Sequence, residues 1–333
     1  LGIFDDEPWG GAGGPLMLGG GGLTPAGTTC GSTTFFVVDS QGRTLDGLDS
    51  GALVSLLASV GISGRRGQLA TLSGTIYVNA GTVPLKLKTC AGVIAVTWDS
   101  AITASQCAFQ EFSGSIYVYS WLGTTGKIQS WDGTTLSSVD TIADASGGFL
   151  VTYSGSLYLV AIQGLWKLIS GVWTSQATFS LPDVLRRLDA AVYNSVLYVT
   201  EGTVIYSWDG AVWATARSIA DSAISSHGLV VFNNRLYYLW LKSSTLDVKL
   251  GYYDGAWTDD HATLTTDVTS LSTVSGWLVP FGGSLYVCYT TFTGSPDSGV
   301  FIVKSSGTDT TTWVTIASAT IGAKEWTDAI IVA

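Results

Sequence analysis

Side chains that could act as bases or nucleophiles are few and far apart in this sequence. There are two histidines, His227 and His261, and neither lies in a Ser–His–Asp or HExxH pattern. Neighbouring carboxylates occur at 5–7 and at Asp259-Asp260, and two carboxyl groups can serve as a general acid and a general base. We interpret these acids as solvated surface groups. The sequence therefore predicts a non-catalytic protein that needs no cofactor or metal ion.

The cysteines give no sign of a metal site. Cys30, Cys90, Cys107 and Cys288 form no CxxC pair and have no spacing typical of zinc ligands. Disulfides that join Cys30 to Cys288 and Cys90 to Cys107 are compatible with their positions, and so are four free thiols.

Charge argues against a nucleic-acid partner. The net charge is −10, and the fifteen lysines and arginines are scattered rather than clustered. The basic doublets are Arg65-Arg66 and Arg186-Arg187, which we interpret as ordinary loop charges. No apolar run approaches the roughly 18–20 residues of a membrane span, so we expect no membrane insertion.

An aromatic residue followed by a glycine recurs about every 40 residues. Successive glycines are 41, 41, 38, 39, 45 and 52 residues apart. The pairs are Phe36 with Gly51, Tyr77 with Gly92, Tyr117 with Gly133, Tyr158 with Gly171, Tyr198 with Gly210, Tyr237 with Gly255, and Tyr286 with Gly307. Repeats of this length with strand-like content are typical of β-propeller blades. The sequence therefore predicts an all-β fold of seven blades centred near these aromatics.

Turn residues support the assignment of hairpins within each repeat. The repeat at 108–142 predicts strands at 108–112, 115–120, 127–131 and 134–139. The turns predicted after the first strand of successive repeats are Ser73-Gly74, Ser113-Gly114, Ser154-Gly155, Asn194-Ser195, Asn233-Asn234 and Gly282-Gly283. Two-residue hairpin turns need positive φ, which Gly and Asn tolerate. Asp-Gly, a strong short-hairpin signal, stands at the second turn at 132–133, 209–210 and 254–255.

The two chain ends are predicted to complete one blade together. Residues 24–30 make a poor first strand for the blade around Phe36, whereas 328–333 make a good strand with no blade after it. Pairing of 328–333 beside 33–38 would close the propeller and remove its open edge. The propeller then spans 31–333, and 1–30 form a glycine-rich arm. We expect Ile3, Phe4 and Trp9 near the tip of this arm to dock on an assembly, and a disordered tail is the alternative.

The repeat resembles the kelch-like group of β-propellers. The matching segments are Leu285-Tyr286-Val287, Tyr252-Tyr253-Asp254-Gly255 with Trp257, and Ser207-Trp208-Asp209-Gly210 with Trp213. The double glycine of kelch repeats is absent after the Leu-Tyr-Val strand, and the Ser-Trp-Asp-Gly segments also look like shortened sialidase Asp boxes. In its Ser, Thr and Gly content the chain resembles degenerate propellers of bacteriophage tails, virions and secreted bacterial surface proteins. The resemblance implies a fold and leaves function open.

Variable connections on a rigid scaffold are where recognition usually occurs. The connections between second and third strands are predicted to hold Trp121, Trp240 and Phe292, and those between blades to hold Arg186 and Arg187. We expect these residues to bind a ligand or a partner.

The sequence therefore predicts a structural or interaction protein. We expect a virion component associated with a phage tail, or a cell-surface propeller, that mediates protein assembly or host attachment and is extracellular or part of the virion. Its partners would be other structural proteins, with oligomers formed inside the assembly, or a host receptor or glycan. Two alternatives stay open, a secreted lectin-like propeller and a glycan-cleaving hydrolase.

Overall fold

The computed structural model describes residues 35–39, 44–49, 52–58, 69–80, 86–89, 94–98, 107–122, 125–143, 145, 147–181, 189–219, 222–242, 244–245, 247–265, 275–291, 299–320 and 326–331. All regular elements in these ranges are β-strands, as the sequence predicts. In the same ranges there is no helix long and apolar enough to span a bilayer.

The chain divides into two compact units, residues 1–49, 54–184 and 328–333 in one and residues 50–53 and 185–327 in the other. The strands wholly or mostly in the first unit are β1 (Phe35–Asp39), β2 (Thr44–Asp49), β3 (Ala52–Ala58), β4 (Leu69–Leu72), β5 (Thr75–Ala80), β6 (Lys86–Thr89), β7 (Ile94–Thr97), β8 (Cys107–Phe112), β9 (Ser115–Leu122), β10 (Thr125–Trp131), β11 (Leu136–Ile142), β12 (Gly148–Tyr153), β13 (Ser156–Ala161), β14 (Gly164–Ile169), β15 (Val172–Thr178) and β28 (Trp326–Ile331). The strands of the second unit are β16 (Asp189–Tyr193), β17 (Val196–Glu201), β18 (Val204–Trp208), β19 (Trp213–Ser218), β20 (Ser222–Phe232), β21 (Arg235–Lys242), β22 (Val248–Tyr253), β23 (Trp257–Thr265), β24 (Ser275–Phe281), β25 (Ser284–Thr291), β26 (Gly299–Ser306) and β27 (Asp309–Thr320).

These strands form sheets of four, and every strand pair whose register is described is antiparallel. In six sheets four consecutive strands lie side by side in chain order, from β4–β7 to β24–β27. In the remaining sheet the order is β28, β1, β2, β3, so the last strand hydrogen-bonds beside the first.

The hairpins that join the first and second strands have the predicted turn chemistry. In each of the six described hairpins two turn residues separate the last paired residues, and both have positive φ, for example 49° at Ser73 and 75° at Gly74. These are type I′ turns, whose twist matches that of the flanking strands. Asn194 and Asn233 adopt φ of 49° at positions where most side chains would be strained.

The Asp-Gly turns are longer than two residues. Trp131 pairs with Leu136, which leaves a four-residue loop, and only Gly133 within it has positive φ. The Asp132 carboxylate accepts hydrogen bonds from the backbone N–H groups of Thr134 and Thr135 at 2.8 and 2.6 Å. The side chain thus stabilises a wider loop by capping its free N–H groups.

Consecutive sheets within each unit pack against one another through apolar side chains. The first strands of successive sheets are neighbours, β4 with β8 and β8 with β12 in one unit, β16 with β20 and β20 with β24 in the other. Trp98, Phe109 and Trp131 belong to one such core, and Tyr193, Ile205 and Tyr238 belong to another. Since each sheet covers the face of the next, neither sheet has to be stable alone.

The fourth strand carries a β-bulge in each of the six sheets whose pairing of third and fourth strands is described. At one register shift in each of these pairings, a single residue of the fourth strand has no partner opposite it. These residues are Ala95, Val139, Gln176, Ala216, Leu264 and Ile316. A bulge increases the local twist and interrupts the ladder, which makes an edge strand a poorer template for another chain.

Candidate functional site

A second, larger bulge interrupts β23 near its middle. Here Gly251 of β22 lies alone opposite three consecutive residues, Asp259, Asp260 and His261, which we call the bulge residues. Bulges often redirect side chains next to functional sites. The bulge residues are therefore the strongest candidate site in the part of the chain that the structure describes.

Asp259 joins two consecutive sheets. Its carboxylate forms an ion pair with Arg217 of β19, in which Nε of Arg217 lies 3.2 Å from Oδ1. The phenol of Tyr238 in β21 donates to the same Oδ1 at 2.5 Å. Burial raises the pKa of Tyr238, and its bond to the Asp259 carboxylate raises it further. The hydrogen bond to Asp259 likewise raises the pKa of Arg217.

Gly251 makes room for this contact. A Cβ atom at position 251 would overlap the ring and hydroxyl of Tyr238. The ring of Tyr238 in β21 therefore lies across Gly251 of β22 and reaches Asp259 in β23. Glycine is required at position 251 because the Tyr238 side chain lies so close to its backbone.

Trp240 holds the backbone of the bulge. Its indole N–H donates to the carbonyl oxygen of Asp259 at 2.7 Å, and the residue is only 4% exposed. The carbonyl of Asp259, a residue with no strand partner opposite it, thus has a hydrogen-bond donor in Trp240.

Asp260 contacts lysines on the same face of the sheet. Its Oδ1 lies 2.9 Å from Nζ of Lys249, and its Oδ2 lies 3.8 Å from Nζ of Lys242. The Lys249 side chain is 9% exposed and also donates to Thr263 at 2.6 Å. Asp247 lies 3.5 Å from the same ammonium. The buried cation is therefore surrounded by oxygen acceptors, as a buried charge requires.

His261 points to the opposite face and reaches the following sheet. Its Nε2 lies 2.7 Å from the hydroxyl oxygen of Thr310 in β27, which is also 3.1 Å from the hydroxyl of Tyr237. The imidazole packs edge-on against Tyr252, with ring centroids 4.9 Å apart. Burial lowers the pKa of His261, and Arg235 lowers it further.

Between them, the three bulge residues contact the preceding sheet, their own sheet and the following sheet. Asp259 binds the preceding sheet, Asp260 binds lysines of its own sheet, and His261 binds the following sheet. The carboxylate of Asp259 accepts bonds from groups that hold their protons, because the pKa values of both Tyr238 and Arg217 are raised. This arrangement holds strands together, and it does not activate Tyr238 as a nucleophile. Among the described residues no three His, Cys, Asp or Glu side chains are grouped so that they could hold a metal ion.

The predicted binding residues Trp121 and Trp240 do not lie in loops. They belong to β9 and β21, because these second strands extend further than the sequence indicates. Trp121 is half-buried and stacks on Tyr119, with ring centroids 5.3 Å apart, and Trp240 is buried beside the bulge. Their role in binding a partner stays a prediction.

The other predicted site residues lie outside the described residues. They are Phe292, Arg186, Arg187, Ile3, Phe4 and Trp9. Cys30 and Cys90 also fall outside, whereas Cys107 lies in β8 and Cys288 in β25.

Arg217, Tyr238 and Lys249 were not predicted as site residues. Their partners lie on other strands, so no local motif marks them. One signal did exist: the interval of 52 residues from Gly255 to Gly307 exceeds the usual spacing of about 40 and contains the bulge residues. An enlarged repeat that holds adjacent acids and a histidine is a reasonable place to expect a bulge.

Comparison with known proteins gives a fold and no family. No model of a known protein family matches the sequence, and no curated protein matches it. The structure is similar to AofleA from Arthrobotrys oligospora, a β-propeller protein, with a TM-score of 0.50 and 10% identity over 82% of this chain and 91% of that chain. It is also similar to the computationally designed Ika8 protein, with a TM-score of 0.50 and 14% identity over 87% and 88% of the two chains.

These similarities concern the fold alone, because the identities are low. They agree with the successive antiparallel sheets of four strands. The chain is an all-β protein with the architecture of the β-propellers.

Proposed function

We propose that this chain is a non-catalytic interaction protein, a propeller that serves as a structural or attachment component of a virion, associated with a phage tail, or of a cell surface. The observation that carries the proposal is the bulge in β23. There the residues best suited to chemistry, Asp259, Asp260 and His261, are engaged in contacts that join strands and sheets. Groups used in this way stabilise a scaffold.

A rigid scaffold suits a protein that binds its partner through the loops between its strands. The inter-sheet bonds of Asp259 and His261 add directional contacts to the apolar cores on either side of the β20–β23 sheet. Such contacts fix the register of one sheet against the next.

We further propose that the sheets form a ring of seven blades of kelch-like type, with β28 completing the blade of β1, β2 and β3. The sheet order supports this closure, since β28 is hydrogen-bonded beside β1. A closed ring has no open edge between its first and last blades. In this proposal residues 1–30 tether the ring to an assembly through Ile3, Phe4 and Trp9.

The test is to determine the size and protein content of the native particle by mass photometry and electron microscopy. We expect the chain at a fixed copy number in a large assembly. Replacing Ile3, Phe4 and Trp9 by serine should reduce its incorporation, whereas Asp5→Asn with Asp6→Asn serves as the control in the same segment.

A free monomer in the native source would overturn the assembly proposal. A glycan array and an assay with glycan substrates would then separate the two alternatives. Binding without turnover would identify a lectin-like propeller, and turnover would identify a hydrolase.

A further inference from the structure

We propose that the contact between His261 and Thr310 is an acid-sensitive joint between the β20–β23 and β24–β27 sheets. It holds the two sheets together while the imidazole is neutral, and it weakens when His261 takes up a proton. The proposal does not depend on the partner that the protein binds.

The geometry makes His261 the centre of a hydrogen-bonded chain across the joint. Thr310 is 3% exposed, and its hydroxyl lies between Nε2 of His261 and the hydroxyl of Tyr237, at 2.7 and 3.1 Å. The indole N–H of Trp313 donates to the carbonyl oxygen of Thr310 at 3.0 Å. Because Thr310 and Tyr237 are 3% and 1% exposed, water does not readily replace a hydrogen bond that either hydroxyl loses when His261 changes its charge.

The surroundings of His261 favour the neutral imidazole. Of the described charged and titratable groups, those that face it are Arg235 and Tyr237 of β21, Tyr252 of β22, and Asp309 of β27. On its own strand Asp259 and Asp260 contact the opposite face.

Arg235 is held close to the site. Its guanidinium lies over the Tyr252 ring, 4.3 Å from the centroid, and its Nε is 3.2 Å from Oδ2 of Asp254. A protonated His261 would be repelled by the positive charge of Arg235, and this repulsion is stronger in a half-buried site than in water. Asp309 acts in the opposite direction and is fully exposed, so it compensates only in part.

Protonation has a second consequence for the hydrogen bonds. A neutral imidazole can accept the Thr310 hydroxyl proton at Nε2, whereas an imidazolium can only donate there. The contacts of Thr310 with His261 and with Tyr237 can then use only two of the three protons on Nε2 and the two hydroxyls, so one proton loses its acceptor within this buried chain. Both effects weaken the joint as pH falls.

The sign of the effect on stability follows from the direction of the pKa. Because the folded state lowers the pKa of His261 below its ordinary value of 6.5, the unfolded chain binds more protons between the two values. Stability contributed by the joint is thus present above 6.5 and is lost as pH falls below it. Since one proton is involved, the unfolding constant should rise by at most about tenfold per pH unit.

The first experiment is NMR titration of the imidazole resonances. The chain has only two histidines, so spectra of His261→Gln and His227→Gln assign both signals. We expect the pKa of His261 to lie below 6.5 in the folded protein, and we expect Arg235→Gln to move it upward. A pKa at or above 6.5 would overturn the proposal.

The second experiment measures urea unfolding from pH 8 to pH 5. We expect the wild type to lose stability on acidification relative to His261→Gln, and we expect His227→Gln to retain that loss. Hydrogen exchange of β27, corrected for the intrinsic rate, should increase at low pH in the wild type more than in His261→Gln. Identical pH profiles for the wild type and His261→Gln would show that the joint is not acid-sensitive.

Discussion

The carboxylate of Asp189 accepts a hydrogen bond from the backbone N–H of Leu229, which lies 2.8 Å away and 40 residues further along the chain. Asp189 begins β16 and Leu229 lies in β20, so the contact joins the first strands of two consecutive sheets. The other carboxylate oxygen accepts the N–H of Ala190 at 2.8 Å, and Asp189 is 7% exposed. The buried carboxylate thus accepts one backbone N–H from each of two consecutive sheets.

We expect Asp189→Ala to destabilise the protein by about 2–5 kcal/mol, because two buried N–H groups lose their acceptor. Urea unfolding measures the change. Asp209→Ala is the matched control, since that carboxylate also accepts two backbone N–H groups, at 2.8 and 2.7 Å, but at an exposed turn. Water can replace its bonds, so the loss should be smaller. Equal losses for the two variants would contradict the role assigned to burial.

We expect Gly251→Ala to destabilise the protein by about 1–3 kcal/mol, since the added methyl group overlaps the Tyr238 ring. The same substitution should cost less in a Tyr238→Ala background, where the ring is gone. A double-mutant cycle of urea unfolding measures this coupling. Additive effects of the two substitutions would contradict the contact.

We expect Tyr238→Phe to cost about 1–2 kcal/mol, because the ring remains while a hydrogen bond to a carboxylate is lost. Tyr193→Phe is the matched control, since this tyrosine is also buried and its hydroxyl donates to a neutral acceptor, the carbonyl oxygen of Asn234 at 3.0 Å. The control should lose less stability. If the control is the more destabilised variant in thermal unfolding, Asp259 is not the important acceptor.

The exposed turn aspartates should make stability depend on pH in the acid range. Hydrogen bonds from Thr135, then Thr134, lower the pKa of Asp132, and bonds from Val212, then Ala211, lower that of Asp209. Because the folded pKa of each aspartate is below the ordinary value of 3.8, its contribution to stability is present above pH 3.8 and is lost as pH falls through the folded pKa.

NMR titration of the side-chain carboxyl carbons tests this directly, and we expect both pKa values below 3.8. The double variant Asp132→Asn with Asp209→Asn keeps a capping oxygen at each turn but removes the titration. Its stability should vary less between pH 5 and pH 2 than that of the wild type. If the stability of this variant depends on pH as that of the wild type does, groups other than Asp132 and Asp209 cause the acid sensitivity.

The repeat length predicted sheets of four strands, and the turn residues predicted where many strands begin and end. For the repeat at 108–142, the four predicted strands correspond to β8, β9, β10 and β11. Turn chemistry was predictable because the φ of Asn233 or Gly283 depends on the residue itself and its nearest neighbours. The Asp-Gly loops differ in length because the Asp132 side chain caps them, which a two-residue pattern does not indicate.

The candidate site was largely unpredictable from sequence. Asp259, Asp260 and His261 were visible as residue types, but we interpreted the two acids as solvated. Their partners Arg217 and Thr310 lie 42 and 49 residues from them along the chain, so only the packing of one sheet against the next brings them together.

By itself the sequence determined an all-β chain of repeated hairpins, since strand alternation and turn conformation are local properties of the backbone and of side-chain size. The tertiary structure alone decided that β23 bulges opposite Gly251, that Trp240 is buried, and that three adjacent polar residues join strands and sheets. Each of these depends on which atoms are near in space after packing, and burial gives those contacts their strength.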